Sequence, residues 1–343
     1  MAATAAPIVA IIILNWNGLA DTLECLHSVF TLNYPNFEVI VVDNASTDGA
    51  AEVIPERYPQ VVFLRNEVNL GFTGGNNLAI RYAMGQGAGY VWLLNNDTTV
   101  EPDCLSRIVA LAESRPEIGL VSPTVHFYDD PETVQFCGNY VDWQQYDFVD
   151  LRRGSPPPDV DLTLWGTALL IKRAVVERIG VLNDQFFAYY EDQDYSLRAL
   201  RAGFSTRVAT DARIFHKDSR STGSPRSPLA VFLRTRNRYL LWKGALEGRQ
   251  WRRYRRRFLA DVITTAAELG RQGKPEAATA CLDAYWSGVV GAGGNRCDAR
   301  PMPVAVRRIM EFFCDHFPYV WGGLLKGGVA AVAAELGKRL RRQ

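Results

Sequence analysis

The stretch at residues 90–99, YVWLLNNDTT, constrains the fold more than any other. Tyr90, Val91, Trp92, Leu93 and Leu94 are all large and apolar, so a strand built from them needs cover on both faces. That predicts a strand in the middle of a parallel sheet. The run stops on Asn95, Asn96 and Asp97. Open α/β sheets bind ligands outside the carboxyl ends of their strands, which is where these polar groups fall. An Asp97 carboxylate there offers oxygen to a hard divalent cation shared with substrate phosphates. Asn-Asn-Asp-Thr equally suits a turn that caps the next element. The stretch alone leaves both readings open.

The same design recurs upstream. Residues 8–14 form a buried run that ends in Asn15-Trp16-Asn17-Gly18, and residues 37–42 form another that ends in Asp43. Further strands are expected over residues 61–64, 120–125, 168–171, 206–209 and 214–216. Helices are expected over 22–31, 50–58, 77–85, 104–113, 174–179 and 192–202. Strands alternating with helices at this spacing predict an α/β fold, a mostly parallel twisted sheet with helices on both faces. Polar loops after three strands then converge on one sheet edge, where they could hold a nucleotide. Asp43 could accept from a base or a ribose hydroxyl. In residues 66–77, Gly71, Gly74 and Gly75 could let backbone approach a phosphate or sugar, or could simply shape a tight turn. GFTGGNN is neither a P-loop nor GxGxxG.

Two segments further on carry candidate chemistry. Residues 126–158 lose the periodicity and carry Tyr128, Phe136, Tyr140, Trp143, Tyr146 and Phe148, which predicts an extended loop or hairpin over the sheet edge. At residues 186–198, four aromatics lead into Glu191, Asp192 and Asp194. A carboxylate at the start of a helix, against an aromatic wall, could act as a general base. Three acids also make a favourable first helical turn. His216 closes an apolar strand and could join Asp97 on a metal, although a lone histidine is more often structural.

A net charge of +1 over 343 residues gives no global signal for nucleic acid. The six cysteines, Cys25, Cys104, Cys137, Cys281, Cys297 and Cys314, contain no CxxC pair. They fit reduced cytosolic thiols rather than a disulfide framework or a zinc site. The apolar N-terminus lacks a basic flank and a cleavage site, so it reads as the first strand. No apolar run reaches the length of a membrane span.

In order, IIILNWNG, VVDNASTDG, NLGFTGGNN, LLNNDTTVEPD, GTALLIKR, FFAYYEDQDYSLRALRAGF and IFH resemble family 2 inverting glycosyltransferases of the GT-A (nucleotide-diphospho-sugar transferase) fold. They are similar in particular to the bacterial rhamnosyltransferase branch of cell-wall and polysaccharide biosynthesis. The resemblance covers roughly residues 8–216. It implies a donor such as a dTDP- or UDP-sugar, Mg2+ or Mn2+ as cofactor, and a glycan or polyprenyl-linked acceptor. It implies that Asp97 and His216 hold the metal and that Asp192, beside Glu191, deprotonates the acceptor. Leu14, Asn15, Asn17, Asp43, Asn69, Gly71, Gly74, Asn76, Asn95, Asn96, Trp165, Gly166 and Arg198 are then expected to line the substrates. Asn95 stands where the first aspartate of the family's DxD motif often is. The alternative is a GT-A-like carbohydrate-binding protein with weak catalysis, for which intact Asp97, Asp192 and His216 have no use.

The resemblance thins after about residue 218. The expected organisation is therefore a catalytic domain over 1–218, nucleotide-binding to about residue 100 and acceptor-binding from 101, with a basic helical region over 219–343. Residues 219–228, rich in Ser, Gly and Pro, read as a lid. Between Arg234 and Arg257, ten Lys or Arg residues face one Glu, with aromatics interleaved. That pattern fits a membrane-surface element, a phosphate-binding element or an oligomer surface. Residues 319–342 read as a second membrane-surface helix or a packed one. This placement would put the protein in the cytoplasm, at the inner face of the membrane.

Overall fold

A computed structural model describes residues 6–151, 162–217, 227–294 and 302–316. Residues 219–226 of the expected lid, the tail at 319–342, the prolines at 156–158 and Cys297 lie outside the described residues; Ser227 and Pro228 of that lid begin a helix instead. The described chain divides into two units. One runs to Asp184 and resumes at Glu191; the other holds Gln185–Tyr190 together with the residues from 227 onward.

The first unit opens as alternating strands and helices: β1 (Val9–Asn15), α1 (Leu19–Val29), β2 (Phe37–Asp43), α2 (Ala50–Arg57), β3 (Val62–Arg65), α3 (Gly71–Gly85) and β4 (Tyr90–Asn95). It continues through β5 (Thr98–Val100), α4 (Cys104–Ser114), β6 (Ile118–Phe127), β7 (Val134–Phe136), β8 (Asn139–Asp142) and β9 (Asp147–Asp150). β10 (Ala168–Lys172), α5 (Arg173–Ile179), α6 (Glu191–Arg201) and β11 (Ser205–His216) complete it. The main sheet has the order β3-β2-β1-β4-β10-β6-β11-β5, with β7 on β6. Residues of β1 and β4 alternate between two cores. Ile11, Ile13, Trp92 and Leu94 face one, with Leu26, Ile54 and Ile108 of α1, α2 and α4. Ile12, Val91 and Leu93 face the other, with Ile80, Val175 and Tyr195 of α3, α5 and α6. Both faces of the sheet are therefore covered, as the unbroken apolar strands require.

β1, β2, β3 and β4 pair in parallel, as do β6 and β11. β10 departs from this, running antiparallel to both β4 and β6. The excursion over residues 128–167 returns the chain to the carboxyl end of β4, where Ala168 pairs with Leu94, so β10 has to run backwards. The expected strands at 206–209 and 214–216 are one bent strand, β11, whose register breaks between Ala209 and Arg213 at the polar Thr210-Asp211. Within the excursion, β7 pairs with β6, and β8 and β9 form a separate hairpin.

α3 begins at Gly71, six residues before the expected start at Asn77. Glycine is a poor helix former, and the reason for it here is packing. A Cβ on Gly75 would lie 2.3 Å from Leu14 Cδ1, and one on Gly74 would lie 2.7 Å from Leu70 Cβ. The glycines let the helix approach β1 closely; they are not a loop.

The second unit contains α7 (Pro228–Ala245), α8 (Gly248–Arg271), α9 (Pro275–Val290) and α10 (Val304–His316). Phe232, Leu233, Tyr239, Leu241, Trp242 and Tyr254 are buried in it. Tyr239, Trp251, Tyr254, Phe258 and Tyr285 form a continuous set of ring contacts. The aromatics expected at a membrane surface are thus largely inside the helical unit. Arg249, Arg252, Arg253, Arg255 and Arg256 stay exposed.

Gly75→Ala should lower stability by about 1–3 kcal/mol through overpacking. Gly85→Ala, at an exposed position of the same helix with nothing within 4 Å of the new Cβ, should raise it by roughly 0.5–1 kcal/mol. Urea midpoints measure both; equal shifts would refute the close-packing account.

Candidate functional site

The carboxyl ends of β1, β2 and β4 form one floor. Register places Asn15 beside Asp43 and Leu14 beside Asn95. Asn15 Nδ2 donates to Asp43 Oδ1 at 3.0 Å and to Ser46 Oγ at 3.1 Å, and the Ser46 amide donates to Asp43 Oδ2 at 3.2 Å. Asn15 Oδ1 accepts from Thr22 Oγ1 and from the Gly18 amide. Asn17 Oδ1 accepts from the Thr47 amide at 2.8 Å. Asn69 Oδ1 accepts from Asn44 Nδ2 and from the Gly71 amide, both at 2.8 Å. Asp43 and Asn15 are fully buried. Their network holds the loop shapes at this edge.

Asp97 follows β4 and is 5% exposed. β11 brings His216 to it: His216 pairs with Thr98, and the Lys217 amide donates to the Asp97 carbonyl at 3.0 Å. His216 Nε2 lies 3.3 Å from Asp97 Oδ1. On the other side of the ring, Nδ1 lies 2.9 Å from Gln135 Oε1, a carbonyl oxygen that can only accept. Nε2 and the Asp97 carboxylate thus face the same point. Asp97 and His216 would fit a divalent cation there, since an imidazole nitrogen and a carboxylate oxygen are ligand types such a cation accepts. Among the described residues, no three His, Cys, Asp or Glu side chains gather as a metal cluster.

Asp192 reaches the same edge through two backbone bonds. The Asn95 amide donates to the Thr167 carbonyl at 2.9 Å, and the Gly166 amide donates to Asp192 Oδ2 at 2.9 Å. A two-residue strip, Gly166-Thr167, thus ties the end of β4 to the candidate base. Its glycine is closely packed: a Cβ would lie 3.0 Å from Phe72 Cζ, so the Phe72 ring would have to give way to a larger residue. The neighbouring Trp165 ring stacks on Phe136, 3.9 Å between centroids and 11° between planes. Burial pushes the Asp192 carboxyl up to about 6, against the pull of the Gly166 and Gln193 amides. Glu191 is buried and its Oε2 has no hydrogen-bond partner. Burial, then the adjacent Asp192 and Asp194, hold its carboxyl well above the usual range. Of the two carboxylates, Asp192 is the one that the Gly166 amide ties to the sheet edge.

Several expected substrate residues serve the scaffold instead. Asn96 Nδ2 donates to Thr22 Oγ1 at 3.0 Å. Arg198 binds Asp194 and the Ile179 and Val181 carbonyls. Asn76 Nδ2 donates back along its own helix to the Phe72 carbonyl. Gly74 lies inside α3 against Leu70. In each case the residue is engaged by groups of the scaffold around it. Gln135 is the residue that sequence reasoning missed. It lies in the aperiodic segment, and only the pairing of β7 with β6 brings it to His216.

Residues 10–180 match the profile described as Glycosyl transferase family 2. The chain belongs to this family. It is 26% identical over 219 residues to the N-acetylglucosaminyl-diphospho-decaprenol L-rhamnosyltransferase of Mycobacterium tuberculosis, spanning 56% of this chain and 71% of that protein. It is 22% identical to the dTDP-rhamnosyl transferase RfbF of Shigella flexneri, over 67% of this chain and 78% of that one. Among solved structures, a mannosyltransferase from Pyrobaculum calidifontis in complex with GDP-Man and Mn2+ superposes with a TM-score of 0.53 at 17% identity, covering 97% of this chain and 87% of that one. That likeness establishes the GT-A fold of this family 2 glycosyltransferase.

A carboxyl raised by burial destabilises the fold where it is ionised. The unfolded chain releases this proton near the ordinary value of 3.8 and the folded one near 6, so stability falls between those pH values and stays lower above them. Asp192→Asn should therefore unfold at higher urea than wild type at pH 7.5, with the gap closing towards pH 4. A gap that does not change with pH would contradict the placement of Asp192.

Proposed function

We propose that this protein is an inverting hexosyltransferase. It moves rhamnose or a similar sugar from a nucleotide-diphosphate donor to a glycan or lipid-linked glycan. The observation that carries this reading is the Gly166-Thr167 strip, which sets Asp192 on the sheet edge that also holds Asp97 and His216. The rhamnosyltransferase names of two relatives favour the sugar, and the decaprenol-linked substrate named for one favours the acceptor class.

In this reading the floor formed by Asn15, Asn17 and Asp43 shapes the nucleotide end. Asp97 and His216 hold a Mg2+ or Mn2+ ion, which when bound neutralises the charge developing on the diphosphate leaving group. Asp192 accepts the proton of the acceptor hydroxyl as its oxygen bonds to the anomeric carbon and the diphosphate departs from the opposite face. The reaction is a single displacement, so it inverts the anomeric centre and uses no carboxylate nucleophile. The Gly166 amide keeps Asp192 oriented. Trp165 on Phe136 provides a rigid aromatic edge for the acceptor sugar.

An acceptor of that class favours work at the cytoplasmic face of a membrane. No helix among the described residues is long and apolar enough to cross one. Contact through α8 would run on charge, through Arg249, Arg252, Arg253, Arg255 and Arg256 against anionic headgroups, because the aromatics of that helix are packed inside.

Transfer assayed over a panel of nucleotide sugars with Mn2+ should yield one preferred donor. The acid limb of its kcat/KM profile should have a midpoint near 6, as Asp192 ionises. Asp192→Asn should lower kcat by on the order of 100-fold or more. Full activity in that variant, or no turnover of any donor, would refute the assignment.

A further inference from the structure

The chain leaves the first unit at Asp184 and spends six residues, Gln185–Tyr190, inside the helical unit. It returns at Glu191, immediately before Asp192. Those six residues are gripped by two side chains of α7. Arg236 is fully buried. Its Nη2 donates to the Gln185 and Phe186 carbonyls at 3.2 and 3.0 Å, its Nη1 to the Gly294 carbonyl, and its Nε to Asn237 Oδ1 at 2.9 Å. That last bond fixes which end of the Asn237 amide faces where. Asn237 Nδ2 then donates to the carbonyls of Phe186, Ala188 and Tyr189 at 2.8, 2.7 and 2.8 Å.

The gripped segment has a backbone that its residues do not choose by themselves. Phe187, Tyr189 and Tyr190 have φ of 63°, 71° and 72°, the left-handed region that large side chains avoid. Phe187, Ala188 and Tyr189 pack on the core of Phe232, Leu233, Ala280 and Ala284. Strained backbone persists where its surroundings over-determine it. Here they do so with a buried guanidinium, a buried amide and an apolar seat, all supplied by the helical unit.

We infer that Arg236 and Asn237 are positioning residues for the transfer reaction: by clamping the Gln185–Tyr190 backbone they fix the conformation of the segment that runs directly into Glu191 and Asp192. The inference rests on Asp192 being the base.

Asn237→Asp tests it, since a carboxylate of the same shape faces three carbonyl oxygens it cannot donate to. Transfer is measured per nucleotide-binding site, so that unfolded protein is not counted. The expected result is a fall in kcat of at least tenfold, with donor KM within twofold of wild type. In an Asp192→Asn background the same substitution should cost less than threefold, because both act through one group. A kcat within twofold of wild type would overturn the inference, and so would a full additional loss in the double variant. If Asn237→Asp does not accumulate as folded protein, Asn237→Ala, which removes the donors without adding charge, is judged by the same two criteria. Wild-type kcat in Asp192→Asn alone would instead show that the base assignment is wrong.

Discussion

The site depends on one short piece of main chain. The carbonyl of Thr167 takes the amide of Asn95, and the amide of Gly166 takes the carboxylate of Asp192. The first bond joins residues 72 positions apart and the second residues 26 apart, and together they link the end of β4, two residues before Asp97, to the helix that starts with Glu191. Backbone amides are well suited to this, because their positions follow from the sheet and carry no side-chain rotamer entropy. The antiparallel course of β10 supplies the geometry, since only a strand entering at the carboxyl end of β4 can present Gly166 and Thr167 there.

Around that link the two acidic residues have different surroundings and different work. Asp97 faces His216, whose far nitrogen is committed to Gln135, so the near nitrogen and the carboxylate together invite a cation. Asp192 is half-buried with two amides on it, and its raised pKa leaves it ionised yet basic near neutrality. Burial also holds the Glu191 carboxyl next to it well above its usual range. The contrast is one of environment, and it separates charge neutralisation at the leaving group from proton removal at the nucleophile.

The parts legible in the sequence are those set by local pattern. Residues 90–94 announced a strand covered on both faces, and the polar ends of β1, β2 and β4 fell where parallel register puts them. Less legible were features set by tertiary packing. Gly74 and Gly75 look like a loop until Leu14 and Leu70 are seen against them. Arg198 and Asn96 look available until carbonyls and a threonine claim them. Gln135 carries no local signal, and its role comes from strand pairing alone. The aromatics of α7 and α8 suggested a lipid-facing surface because amphipathic periodicity cannot distinguish a membrane from a neighbouring helix.

The most direct test of the central claim, that Asp97 and His216 form the cation site of a diphosphate-binding edge, is calorimetric titration of a nucleoside diphosphate with and without Mn2+. The account predicts that Mn2+ tightens binding at least tenfold in wild type and in Asp192→Asn. In Asp97→Asn and His216→Ala the Mn2+ effect should be lost. Tightening that persists in both of these variants would contradict it.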